Sequence, residues 1–204
     1  MTTSRVLLIH GLWMRPPSMG LLARRLARDG FEVDYVGYAS SKDRVTRALR
    51  SLADAVGETP CHVVGHSLGG LVTLAALEAE PGLPVERVVC LGSPLCGSAA
   101  ANRTARLPVV GRWLGHSRHL LRDGCRPWRG RQQVGSIAGS LGFGLGRVVG
   151  RLQGPNDGTV AVSETRLEGL TDHVAVHATH SGLVLSPTAA RQVTAFLREG
   201  RFIH

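Results

Sequence analysis

Lysine is nearly missing from this chain. Of its 24 basic residues one is a lysine, Lys42, and it stands in Ser-Lys-Asp. A Walker-type nucleotide loop needs Gly-Lys followed by Ser or Thr, so that class is excluded. Aromatic residues make up only 4% of the chain. That leaves too few for the stacking platforms of a nucleic-acid surface, and no recognition-helix pattern replaces them, so no nucleic-acid partner is expected. No apolar run reaches the ~18 residues of a membrane-spanning helix. Residues 1–10 lack the basic, apolar, small-residue order of a secretory signal, which makes a cytoplasmic location the expectation. The cysteines, Cys61, Cys90, Cys96 and Cys125, form no Cys-x-x-Cys pair, which removes support for a zinc ribbon or a thioredoxin-type site. Cys61 and Cys90 sit in apolar strand-like runs and read as buried thiols. Whether Cys96 and Cys125 meet in space the sequence leaves open.

What remains describes a globular chain. Hydrophobic residues are 43% and charged residues 19% of 204, enough to close one domain with a full core. The net charge of +9 is uneven. Residues 93–131 hold eight arginines and one acid, Asp123. The rest of the chain is close to balanced. Two readings of this basic segment stand side by side: the arginine usage of a GC-rich genome, or an anion-binding surface.

Hydrophobic patterning predicts strands alternating with helices. Strands are expected at residues 5–10, 31–36, 61–64, 85–91, 133–138 and 172–176. The first, Arg5 to His10, is a continuous apolar run of the kind a strand buried on both faces shows. Helices are expected at 17–29, with Pro17 near the start and Gly30 past the end, at 41–56, at 69–80, and from Pro187 to Arg198. In the second of these, Val45, Ala48, Leu49, Leu52, Ala53 and Val56 fall on one face. Such alternation argues for an α/β fold of about six mostly parallel strands with helices on both faces. Residues 93–131, after the fourth strand, break the rhythm and read as an Arg-rich insertion.

Chemistry concentrates at Gly65-His66-Ser67-Leu68-Gly69, a Gly-x-Ser-x-Gly pattern. The predicted strand before it and the small-residue helix after it make the pattern specific. A strand-to-helix elbow forces the serine into a cramped backbone conformation, so residues two positions away must lack bulk. The elbow places Ser67 at a helix N-terminus, where the amide of Leu68 and the helix dipole can meet an oxyanion. Ala138-Gly-Ser140-Leu-Gly142 also follows a strand, but no such helix follows it, and Ser140 reads as a loop residue.

A serine needs a base and an orienting acid. His180, just past the sixth strand, is the candidate base. His173 and His177, within or at the end of that strand, read as packed or surface histidines, and a metal site on the three lacks matching acids. Asp157, in Gly154-Pro-Asn-Asp157-Gly, is the candidate acid, although the same residues make an ordinary turn. The chain order Ser67, Asp157, His180 favours the acid. A second oxyanion donor is expected from the loop after the first strand, where Gly11 permits close approach and the Leu12 amide points inward. His10 reads as a structural residue holding that loop.

Together, His10-Gly-Leu-Trp13, Gly65-His-Ser-Leu-Gly-Gly70, Pro155-Asn-Asp-Gly-Thr-Val160 and His180-Ser-Gly182 resemble the α/β-hydrolase superfamily, in particular its small bacterial lipase- and esterase-like members. The resemblance spans nearly the whole chain. It implies one hydrolase domain over 1–204, shortened by the superfamily's first two strands, with 93–131 as a cap-like insertion. It further implies a triad of Ser67, His180 and Asp157, an oxyanion hole from the amides of Leu12 and Leu68, and cleavage of a carboxylic ester without metal or organic cofactor. Thioesterase and acyltransferase chemistry on the same residues, and a non-catalytic binding protein on the same fold, are the alternatives. Small-molecule or lipid esters are the expected substrates. Apolar patches between the arginines of 93–131 suggest in addition an anionic membrane surface.

Overall fold

The computed structural model describes residues 3–11, 14, 16–37, 44–97, 126–142, 152 and 154–204. Six strands, β1 (Arg5–Ile9), β2 (Glu32–Val36), β3 (Cys61–His66), β4 (Val85–Leu91), β5 (Gln133–Gly139) and β6 (Asp172–Val176), form one sheet. Among the described residues, four α-helices accompany them: α1 (Gly20–Arg28), α2 (Arg44–Val56), α3 (Leu68–Ala79) and α4 (Pro187–Glu199). The strand order is β2-β1-β3-β4-β5-β6 and each neighbouring pair is parallel. The chain therefore starts inside the sheet, steps out to the β2 edge, and returns across β1 to build the rest. That reversal lies between β1 and β3. In open α/β sheets the crevice outside the carboxyl ends of two such strands is where ligands bind.

Period-two alternation sends side chains to opposite faces. Leu7, Ile9, Cys61, Val63, Val88 and Cys90 pack under α2 and α3. Val6, Leu8, Val64, Val89, Leu91 and Ile137 pack under α1 and α4. Helix α3 lies on the central strands and is buried on nearly every side, from Leu68 through Leu74, which is why its sequence shows no polar stripe. Helix α4 follows its sequence signals closely. The Ser186 side chain caps it by accepting the amide of Ala189, and Gly200 ends it in the left-handed conformation at φ 74°.

The expected first helix is shorter than its pattern. Residues Pro16–Met19 form a 3-10 turn and α1 begins at Gly20. Pro16 and Pro17 have no amide hydrogens, and the first turn of either helix type needs none there, so the two prolines fit a 3-10 start as well as an α-helical one. A second 3-10 turn, Val162–Thr165, was not expected from periodicity; the Glu164 carboxylate fixes it by accepting the amide of Ala161.

Most of the Arg-rich insertion, residues 98–125, lies outside the described residues. Its described ends are informative. β4 and β5 run parallel, so the connection leaves at the carboxyl edge and re-enters at the amino edge. Leu95 and Trp128, near its two ends, are both buried in the α2–α3 side of the core. The Trp128 indole donates to the carbonyl of Gln132. Among the described residues no helix is long and apolar enough to cross a membrane.

Candidate active site

Ser67 follows β3 directly and caps α3 with φ 53° and ψ −118°. Among the described residues it is the one non-glycine at positive φ, a conformation that side chains tolerate only where the surroundings enforce it. The enforcement is visible in the neighbours. A Cβ at Gly65 would lie 2.5 Å from the amide nitrogen of Gly70, and one at Gly69 would lie 2.4 Å from the carbonyl oxygen of Ile9. The requirement for small residues on both sides of the serine is therefore met, and it comes from β1 and α3 pressing against the turn.

His180 stands on the loop after β6. Its Nε2 is 3.0 Å from Ser67 Oγ and its Nδ1 is 2.7 Å from Asp157 Oδ2. A carboxylate only accepts, so the Nδ1 proton donates to Asp157, leaving Nε2 to accept the serine hydroxyl. Asp157 is 1% exposed. Its other oxygen, Oδ1, accepts the amides of Thr159 and Val160 at 2.9 and 2.7 Å. Asn156 Oδ1 accepts the amide of Gly158 beside it. The Asn-Asp-Gly segment is thus an ordinary turn that also carries the carboxylate bonded to His180.

The rivals lie elsewhere. Ser140 Oγ donates to the carbonyl of Val176. His173 Nε2 bonds the Thr165 hydroxyl at 2.9 Å, and His177 is exposed. Among the described residues no group of three or more His, Cys, Asp or Glu is placed to hold a metal ion.

Of the two expected oxyanion donors, Leu68 is the first residue of α3, where the amide has no intrahelical partner by position. Leu12 lies outside the described residues. The loop that carries it starts beside the serine: a Cβ at Gly11 would be 3.1 Å from Ser67 Cβ. His10 is buried, and its Nδ1 donates to the carbonyl of Gly11 at 2.9 Å, in keeping with a structural part in that loop. Burial holds its pKa below the ordinary value, against the raising effect of that bond.

Two contributors escaped the reading of the sequence. Gly92, after β4, has φ 56°, and a Cβ there would stand 3.2 Å from His180 Nδ1 and 3.3 Å from Asp157 Oδ2. Only a glycine lets the chain pass so close behind His180 and Asp157. His66 is the other: its Nε2 lies 3.0 Å from the carbonyl oxygen of His180. Gly92-Ser-Pro after a strand is a turn signal, but nothing in it points to residues 157 and 180.

A sequence model described as an alpha/beta hydrolase family matches residues 6–200. Among solved structures, the lipase BlEst2 of Bacillus licheniformis in mature form is 19% identical, with a TM-score of 0.71 over 97% of this chain and 91% of that one. The metagenomic carboxyl esterase MGS0156 is 18% identical, with a TM-score of 0.64 over 86% of this chain and 64% of that one. A thioesterase domain from the curacin biosynthetic pathway is 14% identical, with a TM-score of 0.57 over 97% and 91%. At these identities the likeness establishes a shared fold. No curated protein sequence matches the chain.

Proposed function

The chain belongs to the alpha/beta hydrolase family, and from that premise we propose that it cleaves a carboxylic ester through an acyl-enzyme on Ser67, with His180 as base and Asp157 as orienting acid. The observation that carries this reading is the continuous pair of hydrogen bonds, 3.0 Å from Ser67 Oγ to His180 Nε2 and 2.7 Å from His180 Nδ1 to Asp157 Oδ2.

The chemistry follows from those positions. Ser67 Oγ attacks the ester carbonyl carbon as its proton passes to His180 Nε2. Asp157 stays ionised and stabilises the imidazolium. The carbonyl oxygen becomes an oxyanion facing the Leu68 amide and the positive end of α3, and the Leu12 amide is assigned as second donor. Such a donor is worth about 10²–10³ in rate. Collapse breaks the bond to the alcohol, which leaves with the proton from His180. Water then attacks the acyl-enzyme, gives its proton to His180, and releases the acid as Ser67 recovers its hydroxyl. No step calls for a cofactor.

Thioesters are the second substrate class, supported by the fold shared with a thioesterase domain. Acyl transfer differs only in the acceptor that replaces water. The test is turnover of p-nitrophenyl esters of increasing acyl length beside the matching acyl thioesters, with fluorophosphonate labelling of Ser67. Ester turnover lost in Ser67→Ala supports the reading. Thioester turnover alone moves the substrate class, and absence of labelling leaves a binding protein on a hydrolase fold.

Cys96 is disulfide-bonded. Cys125, the partner weighed from the sequence, lies outside the described residues. Disulfides persist in oxidising compartments and are rare in the reducing cytoplasm. An oxidising location therefore fits this chain better than the cytoplasmic one expected from residues 1–10.

A further inference from the structure

We propose that His66 is a positioning residue for the base: its ring donates from Nε2 to the backbone carbonyl of His180 and so sets where the His180 side chain stands over Ser67. The proposal rests on the reading of Ser67, His180 and Asp157 as an acyl-transfer triad.

His66 is the last residue of β3 and directly precedes Ser67. Strand alternation places it on the same face as Val64, the face that α4 covers. The loop entering α4 carries His180, so residues 114 positions apart meet there. The Nε2 of His66 lies 3.0 Å from the His180 carbonyl oxygen. A carbonyl can only accept, so the proton resides on Nε2 and the Nδ1 of His66 is bare. That Nδ1 is buried without a hydrogen-bond partner among the described residues. It faces the loop after β1, since a Cβ at Gly11 would lie 3.1 Å from it. The ring thus fills the space between the Gly11 loop and the His180 loop.

The consequence concerns the backbone of the base. The amide of His180 donates to the carbonyl of Asp157 at 2.9 Å, and its carbonyl accepts from His66. Both peptide groups of the residue are therefore held, each from a different side, before the side chain makes any contact. The two imidazole rings stand 4.9 Å apart at 48°. Burial first, and then the neighbouring His180, push the His66 pKa down to about 3, so the ring stays neutral while His180 gains and loses its proton. An apolar residue would fill this buried position without leaving a ring nitrogen unpartnered, which costs stability. Holding the base accounts for a histidine there.

The experiment uses the full chain and three variants: His66→Leu, His66→Asn and His66→Gln. A glutamine amide nitrogen reaches about as far as the histidine Nε2, whereas the asparagine nitrogen matches Nδ1 and falls short of the His180 carbonyl. Expected is a fall in kcat of about 10- to 100-fold for the Leu and Asn variants, with KM within about threefold of the parent because ground-state binding is untouched. The Gln variant restores part of the lost turnover. Fluorophosphonate labelling of the parent, absent in Ser67→Ala, tests the triad reading separately and stands whichever way the His66 variants behave. With the triad reading upheld, the proposal is overturned if His66→Leu or His66→Asn turns over as fast as the parent. It is equally overturned if His66→Gln loses as much as His66→Asn or does not fold. Loss of fold in both the Leu and Asn variants assigns the ring to stability and also overturns it.

Discussion

Asp157 holds His180 twice: its carboxylate receives the Nδ1 proton at 2.7 Å, and its backbone carbonyl receives the His180 amide at 2.9 Å. The two bonds separate what a substitution can remove. Asp157→Asn leaves the backbone bond in place, so the His180 loop should keep its position and the protein its fold. The amide in place of the carboxylate can offer a hydrogen to Nδ1, which drives the ring proton to Nε2 and leaves no lone pair to take the serine proton. Turnover of p-nitrophenyl esters should fall by a factor on the order of 10⁴, with a melting temperature close to the parent's. Near-parental turnover would remove Asp157 from the acid's role.

Ser67 stores strain that a glycine would release. A non-glycine residue at φ 53° and ψ −118° costs about 1–3 kcal/mol. Glycine recovers that and gives back about 0.5–1 kcal/mol of chain entropy. Ser67→Gly should therefore be inactive and melt higher by a few degrees, about 2–4 °C per kcal/mol in a chain of this size. Ser67→Ala should be equally inactive without the gain, because alanine keeps the strained backbone. Equal melting temperatures for the two variants would show that the elbow is unstrained.

Much of this was legible in the sequence for a local reason. The serine turn announces itself through Gly65, Gly69, the apolar strand before and the small-residue helix after, all within about twenty residues. Asp157 and His180 are legible only through their order along the chain, because each sits in a turn that many proteins contain. What His66 and Gly92 do was not legible. His66 bonds a residue 114 positions away, and Gly92 comes close to His180 and Asp157 because the sheet order sets β4 between β3 and β5. Nor did periodicity locate the place where the first helix tightens, since Pro16-Pro17 fits a helix start and a 3-10 turn alike. The Arg-rich insertion reads from the sequence as cap-like, yet parallel pairing of β4 and β5 takes this connection from the carboxyl edge of the sheet to the opposite edge.

Buried histidines should make the fold acid-sensitive. His62, on β3 and edge-on to Phe31, is fully buried. Burial pushes its pKa down to about 4, against the opposing pull of Glu86. A folded-state value below the unfolded one means that the unfolded chain binds more protons between the two. The contribution is therefore intact above about pH 6.5 and is lost as the pH falls toward 4. Urea midpoints measured across that window should fall with pH, and His62→Leu should flatten the slope. An unchanged slope in the variant would place the acid sensitivity elsewhere, with His173, also lowered to about 4, as the next residue to replace.

Thiol counting checks the disulfide. Cys61 and Cys90 are free and buried, and burial pushes their pKa values up to about 11 and about 12, so neither should react in the folded protein at neutral pH. Unfolded without reductant, the chain should show two reactive thiols, and with reductant all four of its cysteines. Four reactive thiols without reductant would mean that Cys96 is unpaired and would return the cytoplasmic location to favour.

The arginines of residues 93–131 give the sharpest test of a membrane role. Arg131 is already engaged: its guanidinium donates to the carbonyls of Gly82 and Leu83, at the amino edge of the sheet and away from Ser67. With its guanidinium so held, Arg131→Gln serves as an internal control. Arg103 and Arg106 lie within 93–131, the segment whose sequence suggests an anionic lipid surface. Each arginine close to such a surface contributes about 1 kcal/mol, so Arg103→Gln with Arg106→Gln should weaken sedimentation with phosphatidylserine-containing vesicles by roughly 30-fold at low salt. Binding of the parent should itself weaken at physiological salt, where charges are screened beyond about 8 Å. Phosphatidylcholine vesicles should bind little. Arg131→Gln should match the parent throughout. If the parent binds both vesicle types equally, or neither, the arginines reflect genome composition and the protein acts on dissolved esters. If Arg131→Gln weakens binding as much as the double variant, the attraction belongs to the overall charge and not to Arg103 and Arg106.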